Sequence, residues 1–320
     1  MFSYRSFRNH DTPQLVEVWR SQPPARGLAQ PASANLIEQI VLAKPYFDNN
    51  GLILALDGRT TVGFVHAGFG ATDNADGLNQ RFGVTSLLMV RPTFQQSAVG
   101  PDLLARSEQY LRSKGAEVLY AGGIRPLDPF YRGLYGGSEM PGVLGSDEFA
   151  TGVYRAAGYR EIDRVVILQR ELAGFRPPID RAQMQIRRTS SVEEIADAPP
   201  RNWWEACALE HFEVTAFELR ERNDSRPIAS ARFWRLETFA AGWGVQAAGL
   251  FDLQVAPERR RCGLATFLLG DAFRRLAAQG IGLIEVQTMA GNAAAIALYT
   301  KLGFSEVDQG IAYRKQGPSP

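Results

Sequence analysis

Apolar and polar positions fall in short runs along this chain. Their spacing switches repeatedly between period two and period three to four, the mark of strands interleaved with amphipathic helices. Over residues 1–173 the order reads strand (FSYRSFR), helix (TPQLVEVWR), helix (NLIEQIVLA), strands (GLILALD, TVGFVHAGF, TSLLMV), helix (LLARSEQYLRSKG), strand (EVLYAG), helix (DEFATGVYRAAG) and strand (IDRVVILQREL). The order then returns as strand MQIRRT, helices VEEIADA and WWEACALEHF, and strands AFELRER, IASARFWRLE and LFDLQV. It ends with helix FLLGDAFRRLAAQG, strand IGLIEVQTM, helix AAAIALYTKLG and a short strand near IAYRK. Helices set between mostly adjacent strands predict an α/β chain with a mixed, mostly antiparallel twisted sheet and helices on both faces.

The two series are copies of one unit. Val90-Arg-Pro92, Gln95, Ala98 and Gly100, followed by LLARSEQYL, stand against Val255-Ala-Pro257, Arg260, Gly263 and Ala265, followed by FLLGDAFRRL, at a constant offset of 165. Asp147, Ala150, Tyr154, Gly158 and Tyr159 stand against Asn292, Ala295, Tyr299, Gly303 and Phe304 at an offset of 145, so the first copy holds about 20 extra residues between its motifs. Pro177 and Pro178 interrupt a polar stretch between Gly174 and Arg181. This predicts an N-terminal domain over 1–173 and a C-terminal domain over 182–316, with the final QGPSP expected to fray.

Composition narrows the function. A chain of 320 residues, 45% hydrophobic and 22% charged, can build a substantial core. Its 35 Lys plus Arg against 34 Asp plus Glu leave a net charge of +1, which supplies no electrostatic case for a nucleic-acid or anionic-membrane partner. The expected partner is a small molecule or another protein. The chain has 2 cysteines, Cys207 and Cys262, and its first residues lack the basic flank and apolar run of a leader, so a cytoplasmic protein is expected. No apolar run reaches the ~18 residues a spanning helix needs. His10, His66 and His211 lie far apart without ligand spacing, so no metal site is expected.

The strongest chemical signal is LQVAPERRRCGLATFLL, an apolar strand that breaks at Pro257 and passes through arginines and glycine into an amphipathic helix. The first amides of a helix lack intrahelical partners and sit at its positive end, so such a turn suits a diphosphate. Gly263 permits close backbone approach and Ala265 keeps the packing surface small. Arg260 or a neighbour adds a charged donor. Farther on, Asn292 is placed as the N-cap of a helix closed by Gly303.

Arg260-x-x-Gly263-x-Ala265, with Val255 and Pro257 ahead of it and an L-L-rich helix behind, resembles the pyrophosphate motif of the GCN5-related N-acetyltransferase (GNAT) family. The run from Asn292 through Tyr299, Lys301, Gly303 and Phe304 resembles the family's last helix and following turn. The resemblance implies two tandem acyl-CoA N-acyltransferase domains with acetyl-CoA as cosubstrate. It places Leu253, Val255, Arg260, Arg261, Cys262, Gly263, Leu264, Ala265, Thr266, Asn292 and Tyr299 around that cosubstrate, with Asn292 at the pantetheine arm and Tyr299 beside the sulfur. It further implies a bulge in the LFDLQV strand, with a backbone N–H around Val255 facing the developing oxyanion.

Acyl transfer to an amine needs a deprotonated nitrogen, a stabilised oxyanion and a protonated leaving thiolate. Tyr299 suits the last role, its phenol having an unperturbed pKa near ~10; alternatively it packs against Phe304. The general base is open between Asp252, Glu285 and an ordered water. Cys262, with no histidine near in sequence, does not read as a nucleophile, so direct attack on the thioester is expected. In the first copy Gln95, Ala98 and Pro101 weaken the loop and Asp147 brings a negative charge, predicting lost or weakened catalysis there. Tyr131, Arg132 and Tyr135 of the insertion GGIRPLDPFYRGLYGGSEMPGVLG either shape a pocket or cover a flank.

The leading expectation is a monomeric or homodimeric enzyme acting on a small-molecule or peptide amine through its C-terminal domain. The rivals are a non-catalytic acyl-CoA-binding regulatory module and an interaction protein using the fold alone.

Overall fold

The computed structural model describes residues 1–30 and 32–315. The QGPSP tail and the last residue of the expected C-terminal domain lie outside them. The first half runs β1 (Ser3–Ser6), α1 (Thr12–Arg20), α2 (Ala34–Ile37), β2 (Leu52–Asp57), β3 (Thr60–Ala71), β4 (Leu78–Val90), α3 (Val99–Ser113), β5 (Val118–Ala121), β6 (Val143–Leu144), α4 (Glu148–Ala156) and β7 (Arg160–Glu171). The second runs α5 (Arg181–Thr189), β8 (Ser190–Ile195), α6 (Trp203–Leu209), β9 (Val214–Glu221), β10 (Pro227–Arg235), α7 (Glu237–Trp243), β11 (Ala247–Val255), α8 (Leu264–Ala278), β12 (Leu283–Met289), α9 (Ala293–Lys301) and β13 (Ser305–Lys315).

Side-chain alternation sends the two faces of each strand to different cores. On β2, Leu52, Leu54 and Leu56 join Leu15, Val18 and Trp19 of α1, whereas Ile53 and Ala55 join Leu103, Leu104 and Leu111 of α3. Helices therefore cover both faces. In the second half α8 packs Leu268, Leu269, Ala272 and Phe273 onto Phe217, Phe233 and Leu250.

All strands belong to one 13-stranded sheet, ordered β1-β2-β3-β4-β5-β13-β7-β12-β11-β10-β9-β8, with β6 paired to β13. The halves exchange their last strands. β13, which ends the second half, lies against β5 of the first, with Tyr313 opposite Ala121. β7, which ends the first half, lies against β12 of the second, with Val286 opposite Leu168. Packing follows pairing: Ile311 and Tyr313 are buried in the first half's core, and Val166 and Leu168 in the second's. Each half lacks a wall without the other.

Local differences from the sequence reading concentrate at the start of the second half. MQIRRT falls inside α5, where Asp180 caps the helix by accepting from the Gln183 amide at 2.8 Å and Ile186 supplies the buried face. The edge strand comes later, as β8, in a segment read as helical; its pairing with β9 overrides local preference. α7 was not expected. Its apolar face is the buried Phe239 with Trp243 stacked on it, ring centroids 5.1 Å apart. Among the described residues no helix is long and apolar enough to cross a membrane, and no group of 3 or more His, Cys, Asp and Glu could hold a metal ion.

Strand exchange makes folding of the halves interdependent. A fragment ending at residue 173 is expected to show no cooperative thermal transition alone and to regain one when co-expressed with the remainder. A sharp transition of the isolated fragment would contradict this. Leu168→Ala should cost about 2–5 kcal/mol in urea denaturation of the whole chain, although Leu168 lies in the other half from the core it fills.

Candidate active site

The site begins where two parallel strands separate. β11 and β12 pair only over Ala247–Leu250 against Leu283–Val286. Beyond that, β11 stays with β10 and takes in an extra residue: Leu250 lies opposite Phe233 and Asp252 opposite Arg232, leaving Phe251 as the bulge. β12 meanwhile follows β7 as far as Met289. A bulge bends its strand and raises the local twist, so the facing edges part and leave unpaired backbone between residues 251–255 and 287–289. Leu253 and Val255 line this gap edge, half-buried. The bulge lies upstream of Val255, which moves the candidate N–H donor from Val255 to the residues beside Phe251. In the first half β4 parts from β5 after Thr85 in the same way, with Ser86 as the extra residue.

At the mouth of the gap the chain turns through Pro257–Arg259 into α8. Arg261 (φ 62°) and Gly263 (φ 80°) both take the left-handed conformation, which turns successive amides the same way. The Arg260 Nε donates to the Val255 carbonyl at 3.3 Å, which closes the turn. From Arg261 through Cys262, Gly263, Leu264 and Ala265 to Thr266, no backbone N–H finds an acceptor among the described residues; the first helical bond is from Phe267 to Gly263, at 3.0 Å. α8 also has no side-chain cap. Free amides at a helix N-terminus suit an anion, and this run of them is compatible with a diphosphate. Asn292 caps α9 by accepting from the Ala295 amide at 3.2 Å and is exposed beside the gap. Cys262 is exposed within the loop, its Sγ directed to the Arg260 carbonyl at 3.5 Å.

The first half has the same backbone plan and no room. Gly100 is buried, and a Cβ there would come within 2.8 Å of the Phe149 ring, which covers the loop from α4. The Ser97 hydroxyl accepts from the Val99 amide at 3.3 Å, and Pro101 has no amide to offer. Its gap is filled by the insertion: the Leu144 amide donates to the Tyr135 hydroxyl at 2.9 Å, and that hydroxyl donates to Asp147 at 3.3 Å. The cavity left among Ser86, Tyr135, Asp147 and Tyr154 is about 10 Å³, room for about one water. Position 294, the counterpart of Phe149, is an exposed alanine, so no ring covers the second loop from α9; Gln183 of α5 donates to the Gly263 carbonyl at 3.2 Å.

The three residues proposed for proton chemistry have different surroundings. Tyr299 is 5% exposed, its ring 5.5 Å from Phe304, and its phenol pKa is raised by burial and then by the nearby charge of Glu139. Packing against Phe304 and standing near the gap therefore hold together. Asp252 is tied to Arg201 at 2.5 Å and takes a hydrogen bond from Gln254 at 3.2 Å. Glu285 does not face the gap as a free base. It is 1% exposed; one oxygen accepts from the Ser138 amide at 2.6 Å and the other from Gln169 Nε2 at 2.6 Å. Burial pushes its pKa up while these donors oppose the shift. The reading of Glu285 as a candidate base is thus corrected to an anchor.

What Glu285 anchors is the insertion of the first half. Gly137 and Gly249 let the chain lie close: a Cβ at Gly137 would meet Glu285 at 2.0 Å, and one at Gly249 would meet Ser138 at 2.6 Å. Trp234 Nε1 donates to the Ser138 carbonyl at 3.0 Å, and Gln287 Nε2 to the carbonyls of Gly136 and Glu139 at 2.8 and 3.0 Å. The insertion therefore seals one gap and walls the other. Of its residues singled out from sequence, Tyr131 is a core pillar, fully buried against Trp19 with its hydroxyl 3.0 Å from His66 Nδ1, and Tyr135 is the plug. Only Arg132 reaches an open space.

That space is a cavity of about 300 Å³ between the halves, lined by Ala71–Asp73, Arg125, Asp128, Arg132, Glu139, Trp204, Glu205 and the bulge residue Phe251. Sequence reasoning missed Asp128 and Glu139. Acidic residues within a long Gly- and Pro-rich insertion were the available signal. Glu139 is half-buried and forms no side-chain hydrogen bond among the described residues. Burial pushes its carboxyl up to about 7, with Arg132 and Arg125 opposing and Asp128 and Asp252 adding to the rise.

Known proteins bear on this geometry. The model of the acetyltransferase (GNAT) family matches residues 181–304. Mycothiol acetyltransferase of Tsukamurella paurometabola is 28% identical over 38% of this chain and 39% of its own length. The ribosomal protein bS18 alanine N-acetyltransferase of Escherichia coli is 42% identical over 18% of this chain and 40% of its own length. The chain thus spans about two fifths of the curated relatives it matches. Among solved structures, a tandem GNAT protein from the clavulanic acid biosynthesis pathway superposes with a TM-score of 0.69 at 14% identity, covering 100% of both chains. A GCN5-related glucosamine N-acetyltransferase region of a fungal multi-domain GH3 beta-N-acetylglucosaminidase gives 0.73 at 18% identity, over 98% of this chain and 38% of that one. At such identities these two establish the tandem fold.

The anchor can be tested directly. Glu285→Ala leaves the Ser138 amide and Gln169 without their acceptor, and should speed hydrogen exchange across residues 133–140 at least tenfold. Exchange unchanged from wild type would show that the insertion is held by other means.

Proposed function

We propose, from the match of residues 181–304 to the acetyltransferase (GNAT) family model, that this chain is an acetyl-CoA-dependent N-acetyltransferase acting on a primary amine, with residues 182–316 as the working domain and 1–173 as a degenerate one. The observation that carries the reading is the run of acceptorless amides from Arg261 to Thr266 at the mouth of the strand gap. These amides and Arg260 hold the diphosphate. The free edge of Leu253 and Val255 pairs with the pantetheine arm as an added strand would, and Asn292 meets the same arm from the other side. Bound acetyl-CoA supplies the activated acyl carbon. Residues beside Phe251 donate to the carbonyl oxygen, and Tyr299 gives its phenolic proton to the departing sulfur. The raised pKa of Tyr299 keeps that proton in place until the thiolate forms.

The first half has a covered loop and a plugged gap, so it serves as scaffold, and one acetyl-CoA per chain is expected. Cys262 has no histidine beside it, which favours direct attack over an acyl-cysteine relay. The unpaired cysteines, one buried and one exposed, agree with a reducing, cytoplasmic setting.

Gly263→Asp places a negative side chain in the loop at a φ of 80° and should abolish acetyl-CoA binding in isothermal titration; retained affinity would refute the loop assignment. Tyr299→Phe should lower kcat by about 10²-fold with acetyl-CoA affinity unchanged. An unaltered kcat would leave Tyr299 a packing residue.

A further inference from the structure

We propose that the cavity between the halves is the acceptor site and that the first half's insertion equips it. Asp128 holds a cationic group of a small polyfunctional amine, and Glu139 takes the proton from the nitrogen that attacks. This inference rests on the proposed acetyl transfer and assigns the acceptor side of the same site.

Three observations converge. The cavity abuts Phe251, the residue whose bulge opens the strand gap, so a ligand in it lies beside the fork of the strands. Asp128 is 3% exposed and pairs with Arg132, yet its Oδ1 has no partner, and neither has the Nε of Arg132, itself 9% exposed. Buried charged groups are rarely left with open valences; an ammonium or hydroxyl of a ligand in the cavity completes Asp128. Finally, Glu139 lines the cavity half-buried with no side-chain hydrogen bond among the described residues, and its charge is felt at the Tyr299 phenol.

The groups around Glu139 come from several elements. Arg125, Asp128 and Arg132 share its insertion, Asp252 lies on β11, Tyr299 on α9, Asp73 follows β3, and Glu205 faces from α6. Glu205 is already satisfied by Arg232, at 2.8 Å, and by Arg201, so it does not compete for the amine. That leaves Asp73 and Glu139 as acids without an ion-pair partner, against Arg125, with the Asp128–Arg132 pair beside them. The balance favours a cation, and a space of about 300 Å³ limits it to the small end of ligand size.

In the reaction the ammonium first gives a proton to the Glu139 carboxylate, which passes it to water. The nitrogen lone pair then forms the C–N bond and the C–S bond breaks. Tyr299 protonates the sulfur, and the second proton lost by nitrogen restores the phenol. The balance is one ammonium and one thioester in; one amide, one thiol and one proton out.

The test uses the whole chain, with 1,3-diaminopropane and n-propylamine as probes and thiol release from acetyl-CoA as the kinetic readout. Infrared titration of the protein without acetyl-CoA is the second readout. The wild-type minus Glu139→Gln spectrum should hold a carboxylic-acid band that fades as the pH rises through about 7. The diamine should show a KM about tenfold lower than propylamine, an advantage that Asp128→Asn removes with little change in kcat. Glu139→Gln should lower kcat about 10²-fold and abolish the rise of kcat through neutral pH. Acetyl-CoA affinity, unchanged in both variants, reports an intact fold. The inference is overturned if Asp128→Asn keeps the diamine preference, if Glu139→Gln keeps the wild-type kcat and pH profile, or if the band titrates in the ordinary carboxylate range. It is equally overturned if the wild type binds acetyl-CoA and acetylates neither amine. Failure to bind acetyl-CoA would instead remove the proposed function, and the infrared titration would still decide the state of Glu139.

Discussion

Everything at the site depends on where β11 lets go of β12. One extra residue, Phe251, turns a regular parallel pair into a fork, and a sheet that would otherwise satisfy its backbone internally acquires two unpaired edges. Such edges are costly when buried and hazardous when exposed. Here they open onto the N-terminus of α8, where a further set of amides has no acceptors. Strand edge and helix end together make a surface with an excess of donors and a defined direction, suited to a long ligand with an anionic segment.

Duplication explains why the fork occurs twice. Ser86 and Phe251 are equivalent residues at equivalent bulges, so the backbone plan has been kept in both halves. Side chains separate the copies. Phe149 lies over the first loop where the second has the exposed Ala294 and is touched instead by Gln183 of α5, and Tyr135 with Asp147 fills the first gap with hydrogen bonds that need no ligand. The insertion that closes the first site is pinned by Glu285, Trp234 and Gln287 to the sheet of the second. Together with the exchanged strands β7 and β13, it makes the first half a structural part of the second half's surroundings rather than an appendage.

Much of this was legible in the sequence. The order of elements, the internal repeat, the strand–loop–helix at Val255–Thr266 and the caps at Asn292 and Gly303 are local signals, and each appears where periodicity and capping chemistry put it. The exchange of last strands was not legible, because β7 and β13 are copies and either fits either slot by pattern alone. α5 was misread because the apolar residues of MQIRRT satisfy period two as readily as a helix face, and the cap at Asp180 was overlooked. Glu285 looked reactive because a carboxylate in an apolar strand is unusual; its partners, Ser138 and Gln169, are remote in sequence. Asp128 and Glu139 were passed over because the cavity they line is assembled by both halves.

The central claim is that one turn of backbone, Arg261 to Thr266, is the anion cradle and that its counterpart in the first half is closed. Residue-resolved hydrogen exchange of the whole chain with and without saturating acetyl-CoA tests it most directly. The account requires strong new protection of the amides at 261–266 and none at 97–100. Unchanged exchange at 261–266, or protection appearing at 97–100 instead, would contradict it.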